Sequence, residues 1–159
     1  FVIIRDDMLQ KVVRPLPTMM NVNTHVENGS MFNTPPTLPI YTALCNMRWV
    51  KEKGGVEAME RIARERASIV YDEIDRNSLF AGTAVEEDRS YMNMDFVMAS
   101  GFEELEDEFV EFAAQRGIVA IKGHRSVGGF RASCYNAMPV EGAKALAECM
   151  RDFERKIKK

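Results

Sequence analysis

The sequence predicts an α/β fold in which a compact α+β unit follows a longer and less regular segment. Residues 1–4 (Phe-Val-Ile-Ile) form a continuous apolar run, which is typical of a buried strand. Residues 56–77 and 139–157 each carry an apolar stripe at helical spacing, which predicts two amphipathic helices. Residues 92–98 have the pattern of a further strand. Helices and strands are therefore expected to pack together around one core.

The first third of the chain is expected to be mostly loop. Asp6 or Asp7 is placed to cap a short helical turn that runs through Gln10. Residues 14–39 contain most of the prolines, and a connection of this length is usually functional or disordered. Its apolar side chains favour an ordered loop packed on another surface, namely Met19, Met20, Met31 and Phe32. A helix over residues 37–53 follows, and Gly54-Gly55 ends it.

The last part of the chain has clear signals for alternating elements. Beyond the strand at 92–98, the sequence predicts a helix over residues 101–116 and two strands over residues 117–122 and 129–135. Pro139 suits the first turn of the final helix, and basic residues at its end favour the helix dipole. The apolar stripes are interpreted as core, so this part is expected to fold as a small domain.

Composition narrows the class of protein. The chain has 159 residues, 28% charged residues and a net charge of −3, which is typical of about one soluble globular domain. The sequence contains no long patch of basic residues of the kind that binds nucleic acid. It shows neither an 18-residue apolar run nor a signal-peptide pattern, so a cytoplasmic location is expected. Three cysteines without C-x-x-C spacing and two histidines make a disulfide framework or a metal site unexpected.

Residues 122–136 have the composition of an anion-binding segment. Arg125 and Arg131 offer planar guanidinium groups that match carboxylate and phosphate oxygens, and Gly128-Gly129 allows close backbone approach to a ligand. With one arginine on a loop and the other on a strand, a substrate can be held at both ends. The alternative is that two exposed arginines only solvate a tight turn. A nucleotide-binding P-loop is rejected, because Gly129-Phe130 stands where its Lys-Ser/Thr is required.

Three motifs resemble the phosphoserine aminotransferase family. They are residues 28–36 (Asn-Gly-Ser-Met-Phe-Asn-Thr-Pro-Pro), residues 88–93 (Asp-Arg-Ser-Tyr-Met-Asn) and residues 122–139, which begin Lys-Gly-His-Arg-Ser-Val-Gly-Gly-Phe-Arg. The resemblance implies the C-terminal part of a fold-type I enzyme that depends on pyridoxal 5′-phosphate. Residues 1–54 are then the end of the large cofactor-binding domain, with a dimer-interface loop, and residues 55–159 are the small α+β domain.

The resemblance also implies an activity and a set of site residues. The family exchanges an amino group between phosphoserine with 2-oxoglutarate and 3-phosphohydroxypyruvate with glutamate, the serine biosynthetic step, and performs an analogous step in pyridoxine biosynthesis. By this likeness Arg131 holds the substrate α-carboxylate, and His124 and Arg125 hold the phosphate or the distal carboxylate of glutamate. Asn33 and Thr34 match residues that bind the cofactor phosphate of the neighbouring subunit, which implies a homodimer with shared active sites. No catalytic residue and no metal ligand is assigned.

The family's Schiff-base lysine is expected upstream of the apolar run at residues 1–4. None of the lysines in the chain matches it, and Lys122 belongs to the substrate-recognition motif. The chain is therefore interpreted as a C-terminal portion whose partner is the N-terminal portion of the same protein. By itself it is predicted to be inactive.

Two other interpretations stay open. Another fold-type I enzyme, such as a serine-glyoxylate aminotransferase or a cysteine desulfurase relative, shares the small-domain architecture but lacks the His-Arg pair for phosphate, so substrate preference separates it. A non-enzymatic α+β regulatory domain that senses a small anion also explains the arginine-bearing loop. Anion binding by the isolated chain, with no upstream partner in the gene, favours that interpretation.

Overall fold

The computed structural model describes residues 1–9, 11, 13–125 and 128–159, and it separates two compact units. The first unit is Phe1–Trp49 and the second is Val50–Lys159. The division of the chain at residue 54 into parts of a large and a small enzyme domain stays a prediction.

The first unit is built from short helices and turns. Single 3-10 turns lie at Asp6–Met8 and Thr18–Met20, and helix α1 spans Val22–Glu27. Helix α2 spans Thr37–Glu52, so its last three residues belong to the second unit. The Asn21 side chain caps α1 by accepting a hydrogen bond from the Asn23 backbone N–H at 3.1 Å. The long proline-containing segment is thus partly helical, and α2 lies where the sequence predicts it.

Residues 1–4 form no strand in this structure; the prediction placed the neighbouring strands of their sheet upstream of residue 1, so it stays a prediction. Phe1 and Ile3 are almost fully exposed, and these residues pair with no strand in the described part of the chain. An extended segment becomes a strand only when neighbouring backbone groups take up its N–H and C=O groups, and apolar composition alone does not provide them. The predicted end of the first helical turn, Gln10, lies outside the described residues.

The second unit is organised around a three-stranded antiparallel sheet. Its order is β1 (Phe80–Gly82), β2 (Asn93–Met98) and β3 (Phe130–Ser133), with Phe96 opposite Gly82 on one side and opposite Phe130 on the other. The sequence predicts β2 and β3 but not β1, which is too short to show a period. The strand predicted at residues 117–122 is wrong. Only Lys122 forms an isolated bridge, to Phe130, and Ala120 has a left-handed φ of 57° that interrupts extended backbone.

Three helices cover one face of the sheet. Helix α3 spans Gly55–Arg76 and α5 spans Val140–Ile157, close to their predicted limits. The helix predicted from residue 101 begins later, with a 3-10 turn at Glu103–Leu105 that leads into α4 (Glu106–Ala114). No helix in the described ranges is long and apolar enough to cross a membrane.

Aromatic rings form the centre of the core. The Phe109 ring lies 4.8 Å from the Phe80 ring, 5.0 Å from the Phe130 ring and 5.2 Å from the Phe153 ring, measured between centroids. All are nearly inaccessible to water, as is Phe96. Edge-to-face and tilted pairs at such distances add to the burial energy of each side chain, so α4 and α5 are fixed against the sheet.

A buried network of charged groups joins α3 to α5. Glu73, whose side chain is 1% exposed, accepts hydrogen bonds from Arg76, Asn77 and Arg151. Burial opposes the ionisation of Glu73, but these donors outweigh it and lower its pKa. Glu154 accepts from Lys158, Ser78 and Arg76. The hydrogen bond from the Lys158 ammonium is the main cause that lowers the pKa of Glu154 to about 2. Burial opposes this lowering, and the Ser78 and Arg76 groups add to it.

Arg66 on α3 is completely buried and holds the segment that follows β3. Its Nη1 atom donates to the carbonyl oxygens of Tyr135 at 2.7 Å, Asn136 at 3.3 Å and Met138 at 2.5 Å. Its Nε and Nη2 atoms have no hydrogen-bond partner among the described residues. Three carbonyl groups therefore converge on one nitrogen, while two buried N–H-bearing nitrogens are left unsatisfied.

We expect Glu154→Gln to destabilise the chain in a pH-dependent way. The folded-state pKa of Glu154 lies below its ordinary value of 4.5, so its stabilisation is present above pH 4.5 and is lost as pH falls towards 2. The variant should lose about 1.5–3 kcal/mol of unfolding free energy at neutral pH, and the difference should shrink in acid. Urea unfolding at neutral and acidic pH measures it. Glu108→Gln, which breaks an exposed pair with Lys156, is the control and should cost less than about 1 kcal/mol. A loss that does not change with pH contradicts the prediction.

We expect Arg66→Lys to raise the thermal midpoint. An ammonium group presents three donors to the three carbonyl oxygens and removes the two unsatisfied nitrogens, each of which costs about 1–3 kcal/mol. The lysine side chain is one bond shorter, so part of this gain is lost. Arg66→Met is the comparison, because it leaves the carbonyl groups without a donor and should destabilise. Calorimetry measures both, and a midpoint for Arg66→Lys below that of the unaltered chain shows that the guanidinium is needed.

Candidate anion-binding site

The loop before β3 is closed by two backbone hydrogen bonds. Gly123 N–H donates to the Gly129 carbonyl at 2.7 Å, and Gly128 N–H donates to the His124 carbonyl at 2.8 Å. A Cβ on Gly123 would overlap the Gly128 carbonyl oxygen, and one on Gly129, which has a φ of 63°, would lie 2.7 Å from the Phe96 carbonyl oxygen. Glycine is therefore required where this loop turns against β2. Ser126 and Val127, the middle of the predicted motif, lie outside the described residues.

Arg131 faces outward because its neighbours in β3 face the core. Phe130 and Ala132 are buried on the inner face, and the period of two places Arg131 on the outer face, where it is exposed. Arg131 lies directly opposite Asp95 of β2. Its backbone N–H donates to the Ile121 carbonyl at 2.8 Å, away from β2. The position of Arg131 in β3 thus determines which face of the sheet carries its side chain.

The outer face of the sheet carries a small cleft. Its volume is about 130 Å³, and it is lined by Thr83, Asp95, Phe96, His124, Gly128, Phe130 and Arg131. The structure therefore brings together two of the predicted site residues, His124 and Arg131. The cleft is smaller than typical ligand pockets of about 300–1,000 Å³, so it provides only part of the space that a substrate needs.

The other predicted substrate-binding residue, Arg125, lies in the turn after His124 and is exposed. It is not among the residues that line the cleft. Lys122, at the start of the loop, is paired with Asp107 of α4 at 2.7 Å, and this hydrogen bond raises the lysine pKa. Both partners are exposed, so the pair positions the loop more than it stabilises the fold.

Asn33 and Thr34 belong to the first unit. Both are exposed in the segment between α1 and α2, and the Asn33 amide donates to Met19 Sδ at 3.2 Å. Ser30 N–H donates to the His25 carbonyl at 2.7 Å, which closes the turn before them. An amide and a hydroxyl presented in this way are neutral donors suited to phosphate oxygens.

Sequence reasoning missed two residues of the cleft, Thr83 and Asp95. Thr83 follows β1, which gave no signal in the sequence. Asp95 could have been identified from the sequence, because β2 was predicted. Its residues Met94 and Phe96 face inward, which leaves Asp95 on the opposite face. Within the described ranges, no group of three or more His, Cys, Asp or Glu side chains is placed to hold a metal ion.

Comparison with known proteins identifies relatives over nearly the whole chain. No family model matches. The chain is 59% identical over 155 residues to a phosphoserine aminotransferase of Bacteroides thetaiotaomicron, which covers 98% of this chain and 44% of the relative. It is 60% identical over 153 residues to one of Parabacteroides distasonis, which covers 96% of this chain and 43% of that relative. The chain thus spans less than half the length of these relatives, and the matched part is their C-terminal portion.

Solved structures give the same result. A PLP-bound phosphoserine aminotransferase from Trichomonas vaginalis superposes with a TM-score of 0.83 at 45% identity, covering 93% of this chain and 42% of that one. A phosphoserine aminotransferase studied for radiation damage of its Schiff base (structure A) gives a TM-score of 0.85 at 42% identity, covering 94% of this chain and 41% of that one. The predicted fold class, α/β as part of a PLP-dependent aminotransferase, is confirmed. Over the portion that it spans, the chain belongs to the phosphoserine aminotransferase family.

Proposed function

We propose that this chain is the C-terminal part of a pyridoxal-phosphate-dependent phosphoserine aminotransferase. The whole enzyme transfers an amino group between phosphoserine with 2-oxoglutarate and 3-phosphohydroxypyruvate with glutamate, in serine biosynthesis and in the analogous step of pyridoxine biosynthesis. The observation that carries this proposal is the cleft that joins His124 and Arg131 on a glycine-closed loop, in a chain 59% identical to a named phosphoserine aminotransferase.

Arg131 binds the α-carboxylate of the substrate. A guanidinium group offers two parallel N–H donors to a carboxylate, which fixes the orientation of the attached Cα as well as binding it. The strand supports this role, because β3 holds the Arg131 backbone between β2 and Ile121. The side chain therefore extends from a rigid element into the cleft.

His124 and Arg125 bind the far end of the substrate. They follow Gly123 in the closed loop, and His124 lines the same cleft as Arg131. Two basic side chains bind the phosphate of phosphoserine or the distal carboxylate of glutamate by charge-assisted hydrogen bonds. One site can then accept both amino donors of the exchange.

The cofactor chemistry belongs to pyridoxal phosphate, which when bound acts as the electron sink for amino transfer. Asn33 and Thr34 hold its phosphate on the neighbouring subunit of a homodimer, a role supported by their exposure and by their neutral donor groups. Residues 1–54 form the end of the large domain, and residues 55–159 form the small domain. The lysine that binds the cofactor lies in the N-terminal portion, so this chain alone is inactive. The enzyme works in the cytoplasm.

The full-length gene product provides the test of this function. With pyridoxal phosphate, phosphoserine and 2-oxoglutarate, it should form glutamate and 3-phosphohydroxypyruvate, whereas the 159-residue chain under the same conditions should form neither. Glutamate is measured by a coupled dehydrogenase assay. Turnover by the homogeneous 159-residue chain contradicts the missing-lysine argument. Absence of turnover by the full-length enzyme overturns the proposed function.

Variants of the full-length enzyme distinguish binding of the substrate α-carboxylate from binding of its phosphate. Arg131→Lys should lower kcat/KM for phosphoserine and glutamate alike, because the bidentate fork is lost; a loss of about 10- to 100-fold is expected. His124→Ala should lower kcat/KM for phosphoserine more than for an unphosphorylated amino acid, because the phosphate loses a donor. Steady-state kinetics with both substrates measure these ratios. Equal losses in His124→Ala contradict the assignment of His124 to the phosphate.

A further inference from the structure

The cleft that offers His124 and Arg131 to an anion also contains an acid. Asp95 is exposed at the middle of β2 and lines the same 130 Å³ space. A carboxylate at this position repels the anions that Arg131 attracts. None of the roles proposed for His124, Arg125 and Arg131 involves Asp95.

The strand register makes Asp95 the nearest outward neighbour of Arg131. The two residues are directly opposed in the β2–β3 pair. The Asp95 carbonyl accepts from Thr83 on the β1 side at 3.4 Å, and the Arg131 N–H donates to Ile121 on the far side. Their backbones therefore exchange no hydrogen bonds, and in such pairs the opposed side chains come closest, with Cβ atoms about 4.5–5.5 Å apart.

The Arg131 guanidinium is not fixed on Asp95 in this structure. Among the described residues, neither side chain has a hydrogen bond or an ion pair. Both groups are exposed and extend from adjacent positions on one face of the sheet, so the carboxylate is within reach of the guanidinium after rotation of side-chain bonds. The arginine can thus exchange between Asp95 and a ligand carboxylate.

We propose that Asp95 is an internal competitor for Arg131, which lowers the affinity of the cleft for anionic substrates and promotes their release. This inference rests on the proposed function, since it assigns Arg131 to the substrate α-carboxylate. A bound carboxylate lies near a second negative charge, and on departure its place on Arg131 is taken by Asp95. An enzyme that releases one anionic product before it binds the next anionic substrate benefits from such a counter-anion, because tight binding of either would slow the exchange.

The test replaces Asp95 by Asn, which keeps the size of the side chain and removes its charge. In the full-length enzyme the KM for phosphoserine and for glutamate should fall about three- to tenfold, as expected for removal of one like charge near a partly exposed site. Asp95→Glu, which keeps the charge, should leave KM closer to that of the unaltered enzyme. Asp72→Asn, an exposed acid on α3, controls for the change in net charge and should shift KM by less than about twofold.

A binding measurement keeps this test separate from that of the proposed function. Phosphoserine is titrated into the 159-residue chain and into its Asp95→Asn and Asp72→Asn variants, and the backbone amide signals of Gly128 and Arg131 are followed by NMR. Tighter binding only in Asp95→Asn supports the competitor, whether or not the full-length enzyme has activity. Affinities and KM values that stay the same or weaken in Asp95→Asn overturn it. Turnover by the unaltered full-length enzyme alone decides the proposed function.

Discussion

The burial of Phe96 and Phe130 between the sheet and its covering helices is the constraint on which the candidate site depends. Both rings contact the aromatic cluster that includes Phe80 and Phe109. In a strand, successive side chains point to opposite faces, so a slip by one residue would move the inward rings of that strand into water. The core thereby fixes the register, and the register sends Asp95 and Arg131 to the outer face as direct neighbours. Hydrophobic packing thus determines where Asp95 and Arg131 lie, although neither side chain belongs to the core.

Buried polar and charged groups also help to hold the strand that carries Arg131. Glu73 and Glu154 join α3 to α5, and their donors offset the cost of removing the carboxylates from water. Arg66 fixes the chain beyond β3 through three carbonyl groups. The strand that carries Arg131 is therefore held at both ends, by the glycine-closed loop before it and by Arg66 after it. These contacts fix the backbone of Arg131, whereas its exposed side chain stays free to rotate.

The small cleft on the outer face of the sheet places one acid, Asp95, beside two basic residues, His124 and Arg131. In the proposed roles, His124 and Arg131 bind an anionic group, and Asp95 is the alternative partner of the arginine. Over the portion that it spans, the chain belongs to the phosphoserine aminotransferase family, and the enzyme activity proposed for the whole protein alternates between anionic reactants. On this proposal, the affinity of the cleft for an anion depends on the balance between basic and acidic side chains on one face of the sheet, rather than on the number of basic residues alone.

The sequence by itself determined helices α3 and α5, because both have long apolar stripes at helical spacing. It also determined the candidate anion site to the level of the motif, since Arg131 and the glycines of the loop are recognisable as residue types. It did not determine the short strand β1 or the break in extended backbone at Ala120. Pairing partners and single left-handed residues decide these, and neither leaves a periodic signal. Only the tertiary structure placed Asp95 and Thr83 beside Arg131, because these residues are distant in sequence and meet through the hydrogen-bonded register of three strands.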